Sequence, residues 1–313
     1  MPLSVKSAVL VTSAGLLLYL LVLSATDPRV PGRGMNDSLE ATDLHSLLKF
    51  PPASLETIAV CRLNMFSADE LPGVGDIDIG STRLGEWSSR VAKETARHRH
   101  HFQSKPAEFE NSEGFFKMLI MAVVLAEDFG VHYHPQRRLD PASASSSDGF
   151  FADSRYVFLH GLLGPERRGT CSSLPVLYVA IGRRLGYPLK LVTTKGHLFV
   201  RWEGQGERFN IEAAGNGLSR PTDEEYRKWP YAVTDEEIAA EGYLKSLSPP
   251  EELAVFLSIR GFCLRDNARY REAAEAFTAA ARFDPSRRQY KKLAAQFTLE
   301  ADKRETILSK TSP

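Results

Sequence analysis

The sequence predicts an α+β fold: one strongly patterned helix packed on an antiparallel sheet, with a helical N-terminal half, a C-terminal helical hairpin and an apolar N-terminal helix. Three observations carry this. Leu174, Leu177, Tyr178, Ile181 and Leu185 recur at helical spacing directly behind Gly169-Thr170-Cys171-Ser172-Ser173. Residues 189–212 read as three consecutive strands divided by glycine turns. Residues 253–306 then return to helical periodicity behind Ser248-Pro249-Pro250.

Taken in order, Ala8 through Ala25 is apolar or small nearly throughout, with Lys6 before it and the helix-hostile Asp27-Pro28-Arg29-Val30-Pro31-Gly32-Arg33-Gly34 after it. At about 18 residues the run is longer than the roughly 7–15 residue core of a cleaved signal peptide and reaches the low end of the roughly 17–25 residues of a membrane-spanning helix. Residues 1–26 are therefore expected to be a single-pass membrane anchor, with a signal peptide ending near Ser24-Ala25 and a secreted or periplasmic product as the alternative. Lys6 on one side against Arg29 and Arg33 on the other leaves the orientation open. Residues 27–50 read as a linker, 51–248 as the main domain and 249–310 as a helical segment.

The composition is that of a globular body, 43% hydrophobic and 25% charged, large enough for one big core or two modest ones. Lys+Arg and Asp+Glu balance at 39 each, so no global basic field gathers nucleic acid or grips an acidic membrane surface. A helix is expected from about Leu84 to Phe102, its histidines (His98, His100, His101) sitting at the C-terminal end where cations suit the dipole. His132 and His134 alternate in a strand-like segment, yet no nearby Cys, Asp or Glu completes a tetrahedral set, so no metal and no cofactor is expected. His160 before Gly161 has no assigned place.

Cys171 is one of three cysteines, and an odd number without CxxC spacing argues against a disulfide framework or a zinc site. Cys61, among Ile58, Ala59 and Val60, and Cys263, beside Phe262 and Leu264, read as buried apolar side chains. Cys171 differs because it opens a helix. Pro175 is tolerated in a first turn whose N–H groups lack intrahelical partners, Arg183 and Arg184 suit the negative end, and Gly186 with Tyr187-Pro188 stops the helix. A thiol at the positive end of a helix is favoured as thiolate, the nucleophilic form.

The strands supply its partners. Leu189–Thr194 leads through Lys195-Gly196 into His197–Trp202, and Arg208–Glu212 follows the break Glu203-Gly204-Gln205-Gly206. With Gly204-Gln205 as a two-residue loop, 202 faces 207, 200 faces 209 and His197 faces Glu212, close enough for a carboxylate to orient an imidazole. Asn210, on the same strand face, becomes the orienting residue if the hairpin carries a bulge or a longer loop.

The order of a cysteine at a helix start, a histidine opening a strand and an acid on the next strand, in GTCSSLPVLYVAIGRRLGYP, GHLFVRW and RFNIEA, resembles the transglutaminase-like superfamily, whose catalytic half is papain-like. Leu63-Asn64-Met65 through Glu70-Leu71-Pro72-Gly73, with FGVHYHP, is similar to the helical half of a bacterial subgroup, so the resemblance spans roughly residues 55 to 248. It implies a papain-like core and thiol-dependent acyl transfer on a peptide or carboxamide by Cys171, His197 and Glu212, the last standing where the family usually has Asp.

Beyond it, residues 223–243 are acidic and mixed, and two amphipathic helices (Leu253, Phe256, Leu257; Tyr270, Ala273, Ala274, Phe277, Ala281) resemble a single tetratricopeptide-type repeat covered by a helix over about 289–306. One repeat cannot bury a continuous core, so a cap on the main domain is expected in preference to a groove for a protein partner. Two functions are thus expected in alternative: a cysteine acyltransferase or hydrolase acting on a peptide or protein substrate, or a non-catalytic binding module at the membrane.

Overall fold

The computed structural model describes residues 41–73, 77–135, 149–215 and 217–311. The apolar run of residues 8–25 lies outside them, as does the anchor or signal peptide expected there. Among the described residues no helix is long and apolar enough to cross a membrane.

Ala41–Pro313 clusters as one compact unit. Folded structure begins inside the stretch expected to be linker: a short helix α1 (Leu44–Leu47) is closed by a reciprocal Asp43/Ser46 capping box, and Leu47 and Phe50 are buried in the main core. Helices α2 (Val60–Ser67), α3 (Ile77–Ser104) and α4 (Glu113–Val123) follow. After α4, a two-residue strand β1 (His132–Tyr133) pairs in parallel with β2 (Arg168–Gly169), and helix α5 (Leu159–Leu162) lies between them.

Helix α6 (Leu174–Arg184) lies at the heart of this unit, with every residue from Leu174 to Gly182 buried. An all-round apolar helix must be covered on all sides. Here α2, α3 and α5 pack against it together with the antiparallel sheet of β3 (Leu189–Thr194), β4 (His197–Gly204) and β5 (Glu207–Ile211). The approach is close: a Cβ at Gly182 would stand 2.2 Å from Leu189 Cδ1. Leu191, Leu198, Val200, Trp202 and Ile211 join that core, while Val192 and Phe199 face the other way onto Tyr226.

The hairpin register corrects the expectation. Val200 pairs with Ile211, Arg201 with Asn210 and Trp202 with Phe209, so the loop is Gln205-Gly206, not Gly204-Gln205. Both loop residues have positive φ, +58° and +80°, the signature of a type I′ turn, whose twist matches that of the strands. The shift is two residues, and because side chains alternate with period two, the same residues keep the same face.

Two short helices, α7 (Asp223–Tyr226) and α8 (Asp235–Glu241), each begin with a Thr/Glu capping box. Ser248, Pro249 and Glu251 then form the capping box and N-terminal proline of α9 (Pro249–Asp266), followed by α10 (Tyr270–Phe283) and α11 (Arg288–Thr311). These helices are not an appendage. Leu244 and Leu247 N–H donate to Thr193 and Leu191 carbonyls at 2.8 and 2.9 Å along the free edge of β3, and α9 packs on α2. Arg183 forks onto Glu252 with bonds of 3.0 and 2.5 Å.

Candidate active site

Cys171 lies in a turn that precedes α6 rather than in the helix itself, a correction with a clear cause. Leu174 N–H already makes a helical bond to Thr170 C=O at 3.0 Å, but Pro175 has no N–H to return to Cys171, so the regular ladder starts later. Side chains hold the turn. Ser173 Oγ accepts from Thr170 N–H at 3.1 Å, and both Ser173 Oγ and Thr170 Oγ1 donate to Tyr156 C=O, at 2.9 and 3.0 Å. On the other side the His134 N–H donates to Gly169 C=O at 2.8 Å. The backbone N–H of Cys171 has no acceptor among the described residues.

His197 opens β4, buried, and its Nε2 lies 2.7 Å from Glu212 Oε2. Cys171 lines the same two cavities as His197, and its influence is one of those that favour a charged imidazole. Glu212 stands just past β5 and reaches back diagonally across the sheet, so the expected pair forms although the residues are not directly opposed. Both of its carboxylate oxygens are engaged: Oε2 also accepts Tyr226 O–H at 2.9 Å, and Oε1 accepts Ala214 N–H at 2.9 Å. Burial opposes a charge on His197, but the hydrogen bonds and attraction of Cys171 and Glu212 outweigh it and push the imidazole up to about 10.

Asn210, the alternative orienting residue, is committed elsewhere. It accepts from Arg201 Nε at 2.8 Å and donates to Pro221 C=O and Asp223 Oδ1 at 2.9 and 2.8 Å. The cause is the register, which sets Asn210 opposite Arg201, a buried arginine that needs acceptors.

The other sequence candidates fall outside the site. Cys61 and Cys263 are buried free thiols, and burial pushes Cys263 upward. His134 packs its ring edge-on against Tyr156, centroids 4.2 Å apart. His160 Nε2 lies 3.2 Å from Ser154 Oγ, and burial drives its pKa down to about 4. Among the described residues no group of three or more His, Cys, Asp and Glu side chains converges as metal ligands.

Two site residues escaped sequence reasoning. Tyr226 binds Glu212 and stacks on Phe199 at 3.8 Å between centroids. Trp229, 48% exposed, sits edge-on over His197 at 4.7 Å, and a cis peptide joins it to Pro230. The signal available was two aromatics three residues apart in an otherwise polar, acidic segment.

Cys171 and His197 stand where two cavities meet. One, of about 310 Å³, includes Tyr133, Glu212, Ala214 and Trp229 in its lining. The other, of about 730 Å³, runs past Phe150, Phe151 and Tyr231 to the C-terminal helices. Residues 145–252 match the family model described as the transglutaminase-like superfamily. The chain carries a transglutaminase-like domain. That domain contains Cys171, His197 and Glu212 and ends within α9, while the helical half from residue 41 to 135 lies outside the match. No curated protein and no solved structure matches the chain.

Proposed function

We propose that the protein is a thiol-dependent acyl-transfer enzyme in which Cys171 is the nucleophile, His197 the acid–base and Glu212 the orienting carboxylate. The observation that supports this is the buried His197–Glu212 hydrogen bond beside Cys171, where thiol and imidazole together line two cavities of substrate size. The thiol proton passes to His197, and Sγ attacks the carbonyl carbon of a peptide or carboxamide, its oxyanion taken by the free N–H of Cys171. Collapse breaks the C–N bond as the imidazolium protonates the leaving amine. Water or a second amine then gives a proton to His197 and displaces the thioester, regenerating the thiol. With water the product is a carboxylate; with an amine it is a new amide.

Iodoacetamide near pH 7 with intact-protein and peptide mass spectrometry tests the nucleophile. Cys171 should alkylate at least about tenfold faster than Cys61 or Cys263, since reactivity follows thiolate character and access. Equal labelling of Cys61, or an unlabelled Cys171 in folded protein, would sink the assignment and favour a non-catalytic binding module. Comparing peptides from a proteome digest exposed to wild type or Cys171→Ala then identifies the substrate and separates hydrolysis from amine transfer.

A further inference from the structure

We propose, resting on the acyl-transfer reading above, that the substrate of Cys171 carries a carboxylate on the side of its reacting carbonyl that faces α11, and that Arg287 holds it. The 730 Å³ cavity that begins at Cys171 and His197 takes its far wall from the C-terminal helices, and Arg287, only 6% exposed, lines it. The guanidinium lies against the rings of Tyr243 and Tyr290, 5.7 and 5.4 Å from their centroids. Its Nη2 donates to Thr193 Oγ1 at 3.0 Å. Nε makes no hydrogen bond, although the Asp284 carboxylate stands 3.5 Å from it. An arginine fixed in place before its ligand arrives loses little freedom on binding, and its planar fork matches a carboxylate.

The remaining charges of the cavity point the same way. Of its acids, Glu237 binds Lys195 at 2.6 Å and Glu241 accepts Gln289 N–H at 3.1 Å. Arg288 and Lys292, one turn apart on α11, line the same cavity and form no ion pair among the described residues. Cations in the first turns of a helix oppose its macrodipole, so the stability of α11 does not explain them. Two of its acids tied to partners within the protein and two exposed cations without an ion pair describe a cleft wall for an anion.

The carboxylate belongs either to an Asp or Glu side chain within a peptide or to a peptide C-terminus, and one binding experiment separates the two. Rhodamine-labelled peptide pools are titrated against full-length Cys171→Ala protein by fluorescence anisotropy: one pool with internal Glu and an amidated C-terminus, one with Gln and a free C-terminal carboxylate, one with Gln and an amidated C-terminus. A carboxylate pool should bind about tenfold or more tighter than the neutral pool, the worth of a charge-assisted contact, and which pool does so names the source. Arg287→Gln should abolish that preference, and Arg287→Lys, which keeps the charge without the fork, should weaken it. Arg288→Ala with Lys292→Ala, both at exposed positions, should reduce the loss of affinity as salt rises. Equal binding of all pools, no binding up to millimolar peptide, or a preference that survives both Arg287 changes would overturn the proposal. The assay does not use the thiol. A preference without iodoacetamide reactivity overturns acyl transfer alone, and thiol reactivity without a preference overturns the carboxylate subsite alone.

Discussion

Glu212 receives three hydrogen bonds, from His197, Tyr226 and the Ala214 backbone, so Glu212→Gln keeps the shape while replacing an acceptor-only group by one with an amide that has nothing to donate to. Activity is expected to fall by roughly two to four orders of magnitude, as when the carboxylate of a serine-protease triad is neutralised. Asn210→Ala should act differently. It leaves buried Arg201 short of an acceptor, so unfolding measurements should record a loss of about 1–3 kcal/mol with a much smaller loss of turnover; the reverse ranking of the two variants in activity would show that Asn210 orients the imidazole. The proton on His197 offers a further check. Its pKa is raised from 6.5 to about 10, by Cys171 and Glu212 against the opposing effect of burial, so its contribution to stability is complete below about 6.5, the unfolded value, and is lost as pH rises through the folded value. Histidine-selective NMR should follow that titration in wild type and find it moved to lower pH in Cys171→Ala, since one of the two stabilising partners is gone. An unmoved titration would mean that Cys171 and His197 do not share a proton. Cys171, His197 and Glu212 were legible because thiol, imidazole and acid each stand at or beside the end of an element. Tyr226 and Trp229 were not, because they follow β5 on a segment with no regular period.

At the scale of elements, the hairpin shows how an incorrect register still named the correct pair. Glycine marks a turn in sequence but not its position within it: Gly204 suggested a loop with glycine first, whereas the chain turns at Gln205-Gly206. The two-residue error preserved the face of every side chain, which is why Glu212 remained the partner of His197 and only the geometry, diagonal instead of opposed, had to change. The observed loop places Gln205 at φ +58°, a conformation that costs a residue with a Cβ and that asparagine adopts more readily. Gln205→Asn, which creates the preferred Asn-Gly pair, should therefore stabilise the protein by about 0.5–1 kcal/mol, read as a raised urea midpoint with an unchanged slope. No gain would place the turn elsewhere. The start of α6 and the pairing of β1 with β2 were harder to foresee for related reasons. Pro175 moves the ladder's beginning past Cys171, and two-residue strands carry no periodicity to detect.

Across the whole molecule, a boundary suggested by composition at Ser248-Pro249-Pro250 is a helix cap in the structure, and the fold crosses it without interruption. Residues 244–247 extend the β3 edge, Arg260 reaches the carbonyls of Ser67 and Asp69, and Phe151 N–H donates to Asp266 at 3.0 Å. Glu252 on α9 is wholly buried against Arg183 of α6, whose side chain keeps 29% of its surface in water. Removing the carboxylate leaves a cation that can partly rehydrate, so Glu252→Ala should cost somewhat less than the roughly 3–5 kcal/mol typical of a broken buried pair. The same argument fixes the form of unfolding. If α9–α11 are one wall of the cleft and share a core with α2 and α6, heating should melt the segments that carry Cys171, His197 and Glu212 together with the C-terminal helices, in one calorimetric transition that Glu252→Ala lowers as a whole. A separate low-temperature transition, or retained Cys171 reactivity after the C-terminal helices have melted, would show that the helices are an independent module and that the cleft is built without them.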